Sequence, residues 1–106
     1  MSLVVLVTVP DLETARRIGR TLVEERLAAC ANLVPGLISL YRWEGEVAED
    51  DELLLLIKTR SERYEALEAR IKQLHPYTVP EVLALQVYNG SVDYLRWIAA
   101  SVDALE

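Results

Sequence analysis

Residues 37–59, LISLYRWEGEVAEDDELLLLIKT, decide the fold. They read as two extended segments, 37–43 and 46–59, folded back on each other at Glu44-Gly45. In the first, Ile38, Leu40 and Arg42 alternate against Leu37, Ser39, Tyr41 and Trp43, which is the period of a strand. The second carries the acid cluster Glu49-Asp50-Asp51-Glu52, read as a solvated stretch, and then an unbroken apolar run at 53–57. The fourteen residues from 46 to 59 would span roughly 46 Å when extended. A domain of this length has a diameter near ~33 Å. The hairpin must therefore bend, bulge or leave its own domain. Aromatic residues such as Tyr41 and Trp43 on a bare overhang would be poorly placed in water. Pairing with further copies of the chain, closed into a ring so that no fibre grows, satisfies both the backbone and the side chains.

Outward from the hairpin, residues 28–34 form another extended run, set off by Pro35-Gly36, a pair that marks a turn or a bulge. Before it, residues 3–9 (LVVLVTV) are β-rich and apolar at nearly every position, as in a strand covered on both faces. Pro10 stops that run and Asp11 is a good helix N-cap. Leu12, Ala15, Ile18, Gly19, Leu22 and Val23 then recur at three- and four-residue steps, between Arg16, Arg17, Arg20 and Glu24, giving an amphipathic helix that ends near Arg26. Gly19 on its apolar side points to close packing of helix on sheet. After the hairpin, Ser61 is expected to cap a second helix with the stripe Tyr64, Leu67, Ile71 and Leu74, stopped by His75-Pro76. Residues 81–87 read as a fourth strand, Asn89-Gly90 as a turn, and Ser91 as the cap of a last helix carrying Tyr94, Leu95 and Ile98 or Trp97. The order is β-α-β-β-α-β plus a terminal helix, which predicts a ferredoxin-like α+β sandwich over residues 1–106 as a single domain.

Composition bounds the function. The 106 residues are 52% hydrophobic, enough for a core without disulfides, and the single cysteine, Cys30, cannot form one within the chain. Eleven basic residues against seventeen acidic give a net charge of −6, the wrong sign for a nucleic-acid binder or for an anionic membrane surface. No apolar stretch approaches the ~20 residues that span a bilayer, and no leader precedes the first strand, so the chain is read as cytoplasmic.

Few residues of the chain carry reactive chemistry. A nucleophile needs a histidine beside it and an acid to orient that base, and the chain offers one His and one Cys with no elbow motif. The four glycines stand alone at 19, 36, 45 and 90, so no loop cradles a phosphate. The central run Leu53-Leu54-Leu55-Leu56 lacks the aromatics of an RNA-recognition sheet, and Asp11 stands where an acylphosphatase needs a basic anion loop. No enzymatic activity is expected. Among soft-metal donors the chain holds only Cys30, His75 and Met1, too few for a closed site. Carboxylates, waters or symmetry copies would have to complete one.

Several strings taken in order are more specific than these patterns. They are Leu27-Ala28-Ala29-Cys30-Ala31-Asn32, Pro35-Gly36, Ser39-Leu40-Tyr41-Arg42-Trp43-Glu44-Gly45, Leu56-Ile57-Lys58-Thr59, His75-Pro76-Tyr77 with Pro80-Glu81, and Asp93-Tyr94-Leu95-Arg96-Trp97-Ile98. Together they closely resemble the divalent-cation-tolerance proteins of the CutA family, over nearly the whole chain. The resemblance implies a tight homotrimer joined through the hairpin strands, a cytoplasmic protein of copper tolerance, and copper binding in some members. It brings no enzymatic reaction. The family's proposed ligands include a Cys in the first strand and two consecutive His before the HPY proline. Here those positions hold Val7, Leu74 and His75, so only His75 remains of that set, and weak binding of divalent cations is expected, with Cys30 a lesser candidate. Tyr41, Trp43, Lys58, Tyr77, Glu81 and Trp97 would line a cleft between subunits, either binding a small ligand or forming an interface core with a buried ion pair. A trimeric scaffold or small-molecule sensor working through those clefts is the alternative function.

Overall fold

A computed structural model describes residues 1–103. Strand β1 (Ser2–Val9) leads into helix α1 (Leu12–Glu24), then strands β2 (Cys30–Trp43) and β3 (Glu46–Arg60), helix α2 (Ser61–Leu74), strand β4 (Leu83–Gln86) and helix α3 (Val92–Val102). The four strands form one antiparallel sheet in the order β2-β3-β1-β4, the ferredoxin-like arrangement that the sequence predicts.

Strand parity divides the molecule. Val5, Val7 and Val9 of β1 and Leu55, Ile57 and Thr59 of β3 point to one face, fully buried. Ala15, Ile18 and Leu22 of α1 and Leu67 and Ile71 of α2 close over them to make the main core. A Cβ on Gly19 would lie 3.3 Å from the Ala31 Cβ, so the glycine is what lets α1 approach β2. The opposite face is covered only in part. Helix α3 packs Leu95, Ile98 and Val102 on Ala29 at one end, and Leu83 and Leu85 remain 55% and 52% exposed.

The hairpin does overhang. The β1–β3 ladder ends at Val9↔Leu53, whereas β2 and β3 continue to pair from Leu37↔Glu52 to Trp43↔Glu46. That distal part is a two-stranded ribbon with no third strand, and it sets a long axis of 46 Å against 27 and 21 Å for the others. Glu44 and Gly45 both take positive φ (51° and 82°), the two-residue turn whose twist matches the strands. Pro35-Gly36 is a bulge inside one continuous strand, not a break between two, with Gly36 at φ 86°. It inserts one residue into β2, so the odd residues Leu37, Ser39, Tyr41 and Trp43 join the face of Asp50, Glu52, Leu54 and Lys58.

Three other expectations need correction. The fourth strand is shorter than 81–87, because residues 76–81 cross over the hairpin base before pairing with β1 begins at Leu6↔Leu83. Its end is nearly as expected, since the Val87 N–H still donates to the Ser2 carbonyl. Ser61 does not cap α2. Arg60 is the capping residue without a side-chain bond, and the Ser61 hydroxyl donates to Glu62 at 2.9 Å, which holds that carboxyl at about 2. Finally, Glu52 leaves the solvated acid cluster, for it is only 6% exposed while Glu49, Asp50 and Asp51 are in water.

Asp11 does cap α1. Its carboxylate accepts the Thr14 N–H at 2.7 Å, and this bond holds its pKa below the ordinary 3.8. A carboxylate with a lowered folded-state pKa stabilises fully above its unfolded value and stops doing so as pH falls through the folded one. Asp11→Ala is therefore expected to lower the melting temperature at neutral pH, by an amount that shrinks well below pH 3.8. An equal deficit at both pH values in paired thermal melts would remove the charged cap as its cause.

Candidate functional site

The point where β1 stops and the ribbon continues is concave. A cleft of about 760 Å³ opens there between the hairpin and residues 76–81. Its walls include Tyr41, Trp43 and Tyr77, its carboxylates are Asp50, Glu52 and Glu81, and Thr8 lies at its base.

The far wall is fixed by His75. Helix α2 ends there because the residue before Pro76 leaves the helical region, with ψ 135°. The buried imidazole then makes two bonds. Nδ1 accepts the Tyr77 N–H at 3.1 Å, so Nε2 carries the proton and donates to the Thr8 carbonyl at 2.7 Å. The two rings stack obliquely, with centroids 4.7 Å apart. This aims the Tyr77 hydroxyl at Glu52, to which it donates at 2.8 Å. Burial first, and then the Glu52 carboxylate, push the Tyr77 phenol far above its ordinary value. On the near wall the Tyr41 hydroxyl donates to Asp50, and that bond raises its pKa as well. His75→Ala removes both ring bonds and leaves the part-buried Thr8 carbonyl without its donor, so it is expected to cost about 1–3 kcal/mol in chemical denaturation. A variant as stable as the wild type would show that His75 does not anchor the wall.

The expected site residues fall into two groups. Tyr41, Trp43, Tyr77 and Glu81 meet at the cleft. Lys58, Trp97 and Cys30 belong to the other end of the same sheet face. Lys58 and Cys30 are cross-strand partners, four residues up the sheet from Thr8, or about 13 Å along the strands. There Lys58 donates to Asn32 Oδ1, the Cys30 thiol lies 3.7 Å from the same oxygen, and Trp97 leans on Tyr94 with centroids 5.4 Å apart. Burial first, and then the neighbouring Cys30, raise the Tyr94 pKa. Within one chain, then, Lys58 does not reach Glu81, and Cys30 does not reach His75. Among the described residues no three His, Cys, Asp or Glu side chains converge as metal ligands. Val7 is sealed in the main core, and Leu74 packs against it.

Sequence reasoning missed Glu52 as a cleft residue, having merged it with its acidic neighbours. Parity gave only part of the signal: it puts Glu52 on the face of Leu54 and Leu56, but it puts the exposed Asp50 there too, and what buries Glu52 is the non-local contact with Tyr77.

Residues 3–101 match the family described as CutA1 divalent ion tolerance protein. The chain belongs to that family. It is 59% identical over 98 residues to the divalent-cation tolerance protein CutA of Thermus thermophilus, covering 92% of this chain and 95% of that one. The structure of the T. thermophilus protein superposes with a TM-score of 0.91 at the same identity and coverage. CutA from Xylella fastidiosa superposes at 0.94 with 44% identity, covering 96% of this chain and 98% of that one. The rice protein named CutA 1, chloroplastic, is 48% identical over 94% of this chain, which spans only 56% of that longer protein. Among the described residues no helix of this CutA-family chain is long and apolar enough to cross a membrane.

Proposed function

We propose that this chain acts as a non-enzymatic homotrimer of divalent-cation tolerance, holding copper weakly. The observation that supports assembly is the ribbon 37–52, paired on one side only and studded with exposed Ile38, Leu40, Tyr41, Trp43 and Val47, while the number three rests on the family resemblance. A two-stranded ribbon is marginal alone in water, and a second surface must cover it. Light scattering is expected to give about three times the 12.0 kDa chain mass at micromolar concentration, and a single-chain mass would sink the proposal.

Weak copper binding is supported by the state of the donors. An ion reaching His75 has to displace the Thr8 carbonyl from Nε2, and Cys30 could assist only from another copy. Calorimetric titration with Cu(II) should show a weak isotherm that His75→Ala diminishes. A tight site, or isotherms unaffected by the substitution, would remove His75 as a ligand. The separation of Cys30 from His75 also supports the non-enzymatic reading, since it leaves the thiol without a neighbouring imidazole base. We place the protein in the cytoplasm, on its single cysteine and acidic balance.

The cleft favours a second reading, a trimeric scaffold or sensor that binds a small molecule. Its volume of about 760 Å³, aromatic side chains and three carboxylates would suit a small polar ligand.

A further inference from the structure

Helix α1 carries a basic strip on an acidic chain. Arg16, Arg17 and Arg20 stand exposed on it, against a net charge of −6. Most other basic side chains are engaged. Arg60, Arg70 and Lys72 pair with Glu62, Glu25 and Glu68. Arg26 and Arg63 donate to the carbonyls of Ser101 and Val102, and Lys58 donates to Asn32. Arg17 turns toward α2 and donates to the Leu74 carbonyl at 3.3 Å. Arg16 and Arg20 have no carboxylate partner among the described residues. They lie one helical turn apart, and two like charges at that spacing weaken a helix. Both border a groove of about 360 Å³ between α1 and β2. One wall is the strip Arg16, Gly19, Arg20 and Val23. The other is Ala31 and Leu33, cross-strand from the buried Leu55 and Ile57 and so on the helix-covered side of the sheet. Gly19 has no side chain to fill the floor, and its backbone sits directly against Ala31 and Leu33. Val23 is 41% exposed at one end, beside the acidic Glu24. The ribbon and the open sheet face, where copies are proposed to meet, form no part of these walls.

We infer that the α1–β2 groove is a docking site for an extended acidic peptide segment of a partner protein, its carboxylates held by Arg16 and Arg20 and an apolar side chain laid on Val23 and Leu33. Charge complementarity selects the anion, and spacing selects its form. Two carboxylates on one side of an extended segment stand about 7 Å apart. Residues one turn apart on a helix have Cβ atoms about 5–6 Å apart, and two guanidinium forks at that spacing can each take one carboxylate. The apolar floor offers nothing to a free phosphate, while Glu24 and the net charge of −6 oppose a long polyanion such as nucleic acid. Glu24 also sets the direction. The carboxylates lie toward Arg16, and the apolar residue lies at the Val23 end.

Full-length protein, in whatever assembly it forms, is titrated into fluorescein-labelled peptides and followed by anisotropy. The probe is a heptapeptide with aspartate at its second and fourth positions, leucine at its sixth and serine elsewhere. One control replaces both aspartates by asparagine, and another replaces the leucine by serine. Saturable binding of the probe is the expected result, weakened about tenfold or more by asparagine and severalfold by serine. Arg16→Gln and Arg20→Gln alter exposed residues, so both variants should fold, and each should weaken binding roughly tenfold. Arg17→Gln removes the same charge outside the groove and should weaken it only about twofold, through screened long-range attraction. Equal losses from all three substitutions reduce the effect to net charge and overturn the site. Absence of saturation at millimolar protein overturns it too, as does undiminished binding of the asparagine peptide. Displacement of the probe by equimolar inorganic phosphate assigns the arginines to a free anion and overturns the peptide as occupant.

Discussion

Replacing residues 38–51 by an Asn-Gly turn is expected to abolish assembly and leave a folded single chain. Leu37 and Glu52 are cross-strand partners, so a two-residue turn can join them without altering the register below. No residue between 38 and 51 belongs to the main core, which lies between the first three strands and the two covering helices. The shortened protein should therefore keep its far-UV spectrum and unfold cooperatively. It loses the ribbon and the exposed Ile38, Leu40, Tyr41, Trp43 and Val47 with it. Light scattering should report one chain, or loose aggregate through the uncovered sheet face, in place of a trimer. A soluble trimer after this excision would place the subunit contact elsewhere. The same variant should lose the cleft, since Tyr41, Trp43 and Asp50 go with the hairpin while Tyr77 and Glu52 remain.

The overhang was legible because strand length is a matter of arithmetic: a run of this length cannot be hidden in a domain of this size. The helices were legible from the spacing of Ala15, Ile18 and Leu22 and of Leu67 and Ile71, all of which are buried. What the sequence hid was register. One extra residue at Pro35-Gly36 decides which of Tyr41 and Leu40 shares a face with Glu52, and nothing in composition counts residues across a bulge. The cleft depended on a second non-local fact, the route of residues 76–81 over the hairpin base. His75 was expected to end a helix or to bind metal. Its bond to Thr8, 67 residues away, is what places Tyr77, and no local pattern announces such a contact. Lys58 and Glu81 looked like one site because both accompany shared motifs. The sheet puts them at opposite ends of one face, so that if they meet, they meet between copies.

Adjacent residues on β3 separate folding from assembly. Ile57 is fully buried on the helix side of the sheet, opposite Val5. Ile57→Ala leaves a cavity among Val5, Ile18 and Ile71, residues of the same core, and is expected to cost about 3–4 kcal/mol in urea unfolding. If folding is coupled to assembly as proposed, the urea midpoints of wild type and variant should both rise with protein concentration, the variant's staying lower throughout. Leu56 points the other way, on the face it shares with Leu6 and Lys58, where among the described residues helix α3 is the only helix that covers any part. Leu56→Asp places a carboxylate where a neighbouring copy would pack, and an unpaired charge buried at an interface is not tolerated. Within one chain the same carboxylate still reaches water, since Leu56 is only half-buried there. The expected outcome is a dissociated chain whose own unfolding is shifted by about 1–2 kcal/mol, from the loss of a half-buried leucine and of strand propensity, well short of the Ile57→Ala loss. If Leu56→Asp stays trimeric, the open sheet face does not take part in the contact and the ribbon alone must hold the copies together. If it unfolds as badly as Ile57→Ala, the two faces of β3 are not the separate layers that the register describes.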